Sequence, residues 1–229
     1  MFDSFHAGIS ERLDRPAYHA DLGRLYSSGI GFLNKLERGQ HFKERGFPSW
    51  EAFADGDWER ALSLADERRE DYARELRQAS RLGVRQRRLR VVEFPITPYV
   101  QWELFVLRVR VDVGDDIKVL DARDISHIER THPVPEVVIL GDVVMYEVVY
   151  DEDGNAAGAN RYTDRPLIRE TNAGFDALYE RGEEFRDFFD REIVNLAPPR
   201  VQGGCKFRDC VGRPSPAGVD AATAQARDR

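Results

Sequence analysis

Cysteine is almost missing from this chain: its 229 residues include only Cys205 and Cys210, with four residues between them near the C-terminus. Two such neighbours cannot staple a fold, so no disulfide framework is expected and a reducing, cytoplasmic setting is. No histidine follows them, so the spacing of a zinc site is also lacking. Long apolar runs are missing: no stretch approaches the roughly 18 residues of a membrane span. The opening MFDSFHAGISERLDRP lacks the charged-then-apolar order of a signal peptide. An excess of positive charge is missing too, because 34 basic residues face 41 acidic ones for a net charge of −7. That balance excludes a chain-wide polyanion-binding surface. There is no Walker loop, dinucleotide glycine fingerprint, Gly-x-Ser-x-Gly elbow or HExxH helix. No cofactor, no metal site and no catalytic residue is expected.

What is present describes a globular, soluble body. The chain is 41% hydrophobic and 33% charged, and is long enough for one core. Its charge is uneven: residues 198–229 carry +3 and residues 1–197 carry −10. The tail holds four prolines and one aromatic residue, so it cannot bury enough apolar surface to offset its ordering entropy. The expected organisation is a single domain over 1–197 followed by a disordered basic tail over 198–229.

Asp14-Arg15-Pro16 predicts a capped helix ending near Gly29, and IGFLNKLER a strand with Phe32, Asn34, Leu36 and Arg38 on one face and Leu33, Lys35 and Glu37 on the other. Ser49 is expected to cap a short helix. The spacing of Trp58, Ala61, Leu62, Ala65, Tyr72, Leu76 and Ala79 predicts one long helix from Asp57 to Leu82. RQRRLRVV reads as a strand, with Thr97-Pro98 opening the next helix. Residues 105–113 fit either helix or strand. Helix is preferred, since its length suits a crossover and Gly114 follows as a stop. IKVLD, EVVIL and VVMYEVVY read as strands, the last two joined at Gly141-Asp142, and AGANRYTD as an antiparallel return after the acidic turn Asp151 to Asn155. A helix from Pro166 to Val194 closes the body. Strands and helices mix without repeating, which predicts α+β or α/β, with one mixed sheet carrying helices.

The segments KLERGQHF, SWEAFADGDWERAL, RRLRVVEFPITPYVQWEL, GDDIKVL and VVILGDVVMYEVVYDEDG resemble, over residues 10–196, an actinobacterial family known only as a domain of unknown function. That resemblance implies a regulatory role, because its members sit beside genes for helix-turn-helix regulators. The order of elements is similar, more weakly, to half of a phospholipase D-like domain. Active members of that group carry His-x-Lys and a later Asp. Here Val134 follows His132 where Lys is required and Ile139 stands where Asp would be, which implies a degenerate, non-hydrolytic version.

The basic run Arg81, Arg85, Arg87, Arg88 and Arg90 alternates faces on a strand, dispersing its field, so pairing with Glu67, Glu70, Asp71, Glu75 and other local acids is expected over phosphate binding. Polar residues set among apolar ones are more informative. Glu103 and Gln101 flank Trp102, and a buried Glu needs a partner. Arg38 or Lys35 could supply it, with Gln40, Trp50 and Tyr99 completing a ligand pocket. The competing reading is a structural salt bridge. Together these observations favour a non-enzymatic regulatory or partner-binding protein, with a helix-turn-helix regulator and a small molecule as partners. The alternative is a small hydrolase or transferase acting on an anionic or phosphate-containing substrate around Glu103. No membrane partner is expected, and nucleic acid only through weak contacts of the tail.

Overall fold

The computed structural model describes residue 2, residues 4 and 5, and residues 8–200. The expected disordered tail, with both cysteines, lies outside the described residues apart from 198–200. One mixed sheet of eight strands organises the fold, in the order β1-β7-β6-β5-β2-β3-β4-β8. Its centre is parallel: β2 (Phe32–Glu37), β3 (Arg85–Val92) and β4 (Ile117–Asp121) run together. The flanks are antiparallel: β5 (Val137–Leu140), β6 (Val144–Tyr150), β7 (Ala156–Tyr162) and β1 (Glu11–Asp14) on one side, β8 (Glu183–Glu184) on the other. This is an α+β architecture.

The helix caps are mostly where the sequence places them. Asp14 caps α1 (Arg15–Tyr26) and Thr97 caps α5 (Pro98–Asp112), each accepting a main-chain N–H in the first turn. The helical reading of residues 105–112 holds because α5 is buried around nearly its whole circumference, from Tyr99 to Val109. A helix apolar on every side loses its 3.6-residue signature, which is why the same residues also alternate like a strand. The acidic turn is a hairpin: Asp151 accepts from the main-chain N–H groups of Asp153 and Asn155.

Several expectations require correction. The long helix of 57–82 is two, α3 (Trp58–Glu67) and α4 (Arg69–Arg81), broken at Arg68. After Ala65 the apolar stripe would fall on Arg68 or Arg69, and the Arg68 guanidinium instead stands over the rings of Phe47 and Tyr72. Ser49 does not cap α2 (Pro48–Ala54). It is buried, donating to Ala61 O and accepting from the Trp102 indole. The closing helix is also two, α7 (Arg165–Arg181) and α8 (Phe185–Glu192), because Gly182 turns extended and Glu183–Glu184 pair with β4. β1 and the short α6 (Ala122–Ile125) were not anticipated.

Side-chain alternation sorts the layers. On β5, Val138 and Leu140 meet Tyr18 of α1, while Val137 and Ile139 join the core under α7. Lys35 lies in register with Val138 on one side and Arg88 on the other, so all three point to the α1 side. The same face carries Val92 and Val119 under α2, α3, α5 and α8. Between the α1 layer and the α5 layer lies a charged seam.

Candidate functional site

The seam centres on Arg90, which is 0% exposed although it is a charged residue of a central strand. Parallel strands covered on both faces are apolar along their length, and an arginine there must find acceptors for its whole fork. Arg90 Nε donates to Glu103 Oε2 at 2.7 Å, Nη1 to Val91 O at 2.8 Å and Glu37 O at 3.3 Å, and Nη2 to Gly39 O at 2.6 Å. One side chain thereby holds α5, β3 and the carboxyl end of β2 together.

Around it the charges alternate. Glu37 takes Lys35 Nζ at 2.6 Å and Arg88 Nη1 at 3.2 Å. Glu136, just before β5, accepts the Gly39 N–H at 3.0 Å and the Tyr150 hydroxyl at 2.9 Å. Phe42 stacks on Tyr150 and meets Tyr99 edge-on. Gly39 permits this approach, since a Cβ there would lie 2.2 Å from the Phe42 ring.

The two central carboxyls are driven apart. Burial raises both, but Arg88, Lys35 and Arg90 together outweigh it at Glu37 and hold that group at about 2. At Glu103 burial wins: with Glu37 adding repulsion against the pull of Arg90, its carboxyl is pushed up to about 7. Burial, with Glu37 nearby, also raises Glu136, and burial lowers His41.

The partner of Glu103 is not one of those expected. Glu103 pairs with Arg90, not with Arg38 or Lys35, because β2 alternation sends Arg38 to the opposite face. There Arg38 holds Glu129 through two nitrogens at 2.7 and 2.9 Å and Glu93 at 2.6 Å. Lys35 shares the right face but is held by Glu37. Gln40 is spent on main chain, donating to Arg38 O and Val91 O and accepting from Glu93 N–H. Tyr99 donates to Glu44, and Gln101 donates to Ala197 O. Trp50 packs against the α5 core, its buried indole nitrogen without a partner among the described residues.

Four of the five arginines of the basic run are paired, with acids other than those named: Arg85 with Asp116, Arg87 with Asp176, Arg88 with Glu37 and Arg90 with Glu103. Arg90 was the residue that sequence reasoning missed. Its signal was there, an arginine between Leu89 and Val91 on a strand flanked by crossover helices, with a glutamate thirteen residues on. Ile139 is fully buried and Val134 nearly so. Among the described residues, no helix is long and apolar enough to cross a membrane.

Fold and seam together define an α+β body whose central charges bridge its layers. The chain belongs to the family described as a domain of unknown function, DUF6879, which matches residues 20–190. That span holds every member of the Arg90 network. No curated protein matches the chain.

Proposed function

We propose that this chain works by binding, as a non-catalytic accessory to a helix-turn-helix transcriptional regulator in the cytoplasm. The observation that carries the non-catalytic half is the commitment of Glu103. It is 7% exposed and tied to a fully buried arginine, so its carboxylate is turned to the protein and bonded there. A general acid or base must come within hydrogen-bond reach of the proton it moves. The apolar residues at positions 134 and 139 point the same way for phosphodiester chemistry. The regulator partner rests on the resemblance of the sequence to chains encoded beside such regulators.

The alternative, a hydrolase or transferase using Glu103, is favoured by one observation: the carboxyl is pushed up to about 7, in the range of a working acid or base. Affinity capture from native cells with the tagged full chain tests the first reading, and recovery of a helix-turn-helix protein in stoichiometric amount is the expected outcome. Turnover of phosphate esters by purified chain, abolished by Glu103→Gln with the fold intact, would replace that reading with the second.

A further inference from the structure

The sealed seam directs attention to where a ligand could enter. In sheets with parallel strands, ligands bind outside the carboxyl ends of those strands. β8 pairs with β4 at Lys118 and Val119, so among the described residues the outer edge of Leu120 and Asp121 carries no strand. A cavity of about 150 Å³ opens there, between α6, the end of α7 and α8. One water needs only ~10–15 Å³ of such volume, so the space suits a small organic molecule.

The lining has an unusual charge pattern. Phe94, Leu120 and Phe188 give it apolar surface. Two of its arginines are already engaged: Arg123 pairs with Asp121 and stands 4.8 Å from the Phe94 ring centre, and Arg191 pairs with Glu183 and Glu192 and stands 5.7 Å from that of Phe188. Arg181 differs. Its guanidinium donates to the main-chain oxygen of Asp124 at 2.8 Å, and neither it nor the Asp124 carboxylate forms an ion pair among the described residues. One cation and one anion without an ion-pair partner among the described residues thus border one cavity, on the ends of two elements, although the Asp124 charge is also felt by the neighbouring Arg123. A simple anion would meet the Asp124 carboxylate, and a simple cation would meet Arg181. A molecule carrying both charges satisfies both.

We propose that this crevice binds a small zwitterion of the α-amino-acid class, its carboxylate on Arg181 and its ammonium on Asp124, with the side chain toward Phe94 and Phe188. The proposal deepens the binding reading above by giving the accessory a ligand. It is tested on the chain alone, so a failed titration and a failed regulator capture remain separate results.

The test is isothermal titration of the full chain with glycine, L-alanine and L-serine, with acetate and methylammonium as single-ended controls. At least one amino acid should give saturable heat, and both controls should bind at least about tenfold more weakly, the ~1.4 kcal/mol of one lost charged contact. Arg181→Gln and Asp124→Asn should each weaken the amino acid about tenfold while leaving the melting temperature unchanged, since both side chains are exposed. Absence of saturable heat with all three amino acids overturns the proposal, as does acetate binding as tightly as they do. Wild-type affinity in both variants overturns the placement.

Discussion

Arg90→Met is the perturbation that separates a locked core from a solvated site. Methionine keeps most of the volume and all of the apolar stem, so the change removes donors and charge. Two losses follow. The Glu103 carboxyl, 7% exposed, loses the cation it is bonded to, and orphaning one member of a buried pair typically costs ~3–5 kcal/mol. The carbonyls of Glu37, Gly39 and Val91 lose a donor each, at ~1 kcal/mol or more apiece where water cannot replace it. These terms overlap, and protonation of Glu103 relieves part of the first, so the net expectation is about 4 kcal/mol. That is a large share of the ~5–15 kcal/mol that keeps a domain folded. Urea unfolding followed by circular dichroism should show the midpoint falling with the slope unchanged. Arg90→Lys should rescue less than half, because one ammonium cannot span acceptors on β2, β3 and α5 together. The double variant Arg90→Met/Glu103→Leu should recover most of the loss, since an apolar replacement of a buried pair is often neutral. A loss under ~1 kcal/mol for Arg90→Met, or full rescue by lysine, would refute the reasoning.

Three further outcomes follow from the same geometry. The Glu103 carboxyl lies above its unfolded value, so the folded state holds the extra proton and stability from this group falls as pH rises from about 4.5 to about 7. Glu37 is depressed to about 2, so its contribution is present above about 4.5 and lost as pH falls toward 2. Glu103→Gln should therefore flatten the decline between 4.5 and 7 in unfolding free energies measured across pH, and an unchanged slope would count against the raised carboxyl. Gly158 has φ +130°, and a Cβ there would sit 2.1 Å from Leu13 O. Gly158→Ala should thus cost ~2–4 kcal/mol and strip exchange protection from β1 before the rest of the sheet. Arg38→Gln should cost ~1–3 kcal/mol and loosen residues 122–136, visible as faster amide exchange at Val134, whose N–H is held by Glu129.

The caps of α1 and α5, the strand segments and the hairpins were legible because those features are local: Asp14, Thr97, Gly114 and Gly141-Asp142 announce themselves within a few residues. Both overlong helices share one cause. A helical stripe read at three and four residues continues through a single break, and neither Arg68 nor Gly182 announces the turn that the tertiary partners impose. β1 was illegible because only four residues long, mostly exposed and charged, it is defined by pairing with β7 from the far end of the body. Glu103 stands out in the sequence as a glutamate among apolar residues that needs a partner, with a salt bridge to the N-terminal part as one explanation; in the structure its partner is Arg90. Arg38 and Lys35 were the wrong partners because register between β2 and β3, and hence which cation faces α5, is a long-range property. The face assignment of Arg38 against Lys35 and Glu37 was already present in the strand alternation, and it places Arg38 on the side away from α5.

The account rests on Glu103 being sealed against its arginine, and that can be read directly from the side-chain carboxyl carbon by ¹³C NMR, assigned with Glu103→Gln, as pH is taken through the carboxylate range and beyond neutrality. The prediction is a midpoint near 7, far above the ordinary value of 4.5. A midpoint at or below the ordinary carboxylate value would mean that burial does not outweigh the pull of Arg90, and would contradict the raised carboxyl at the centre of the seam.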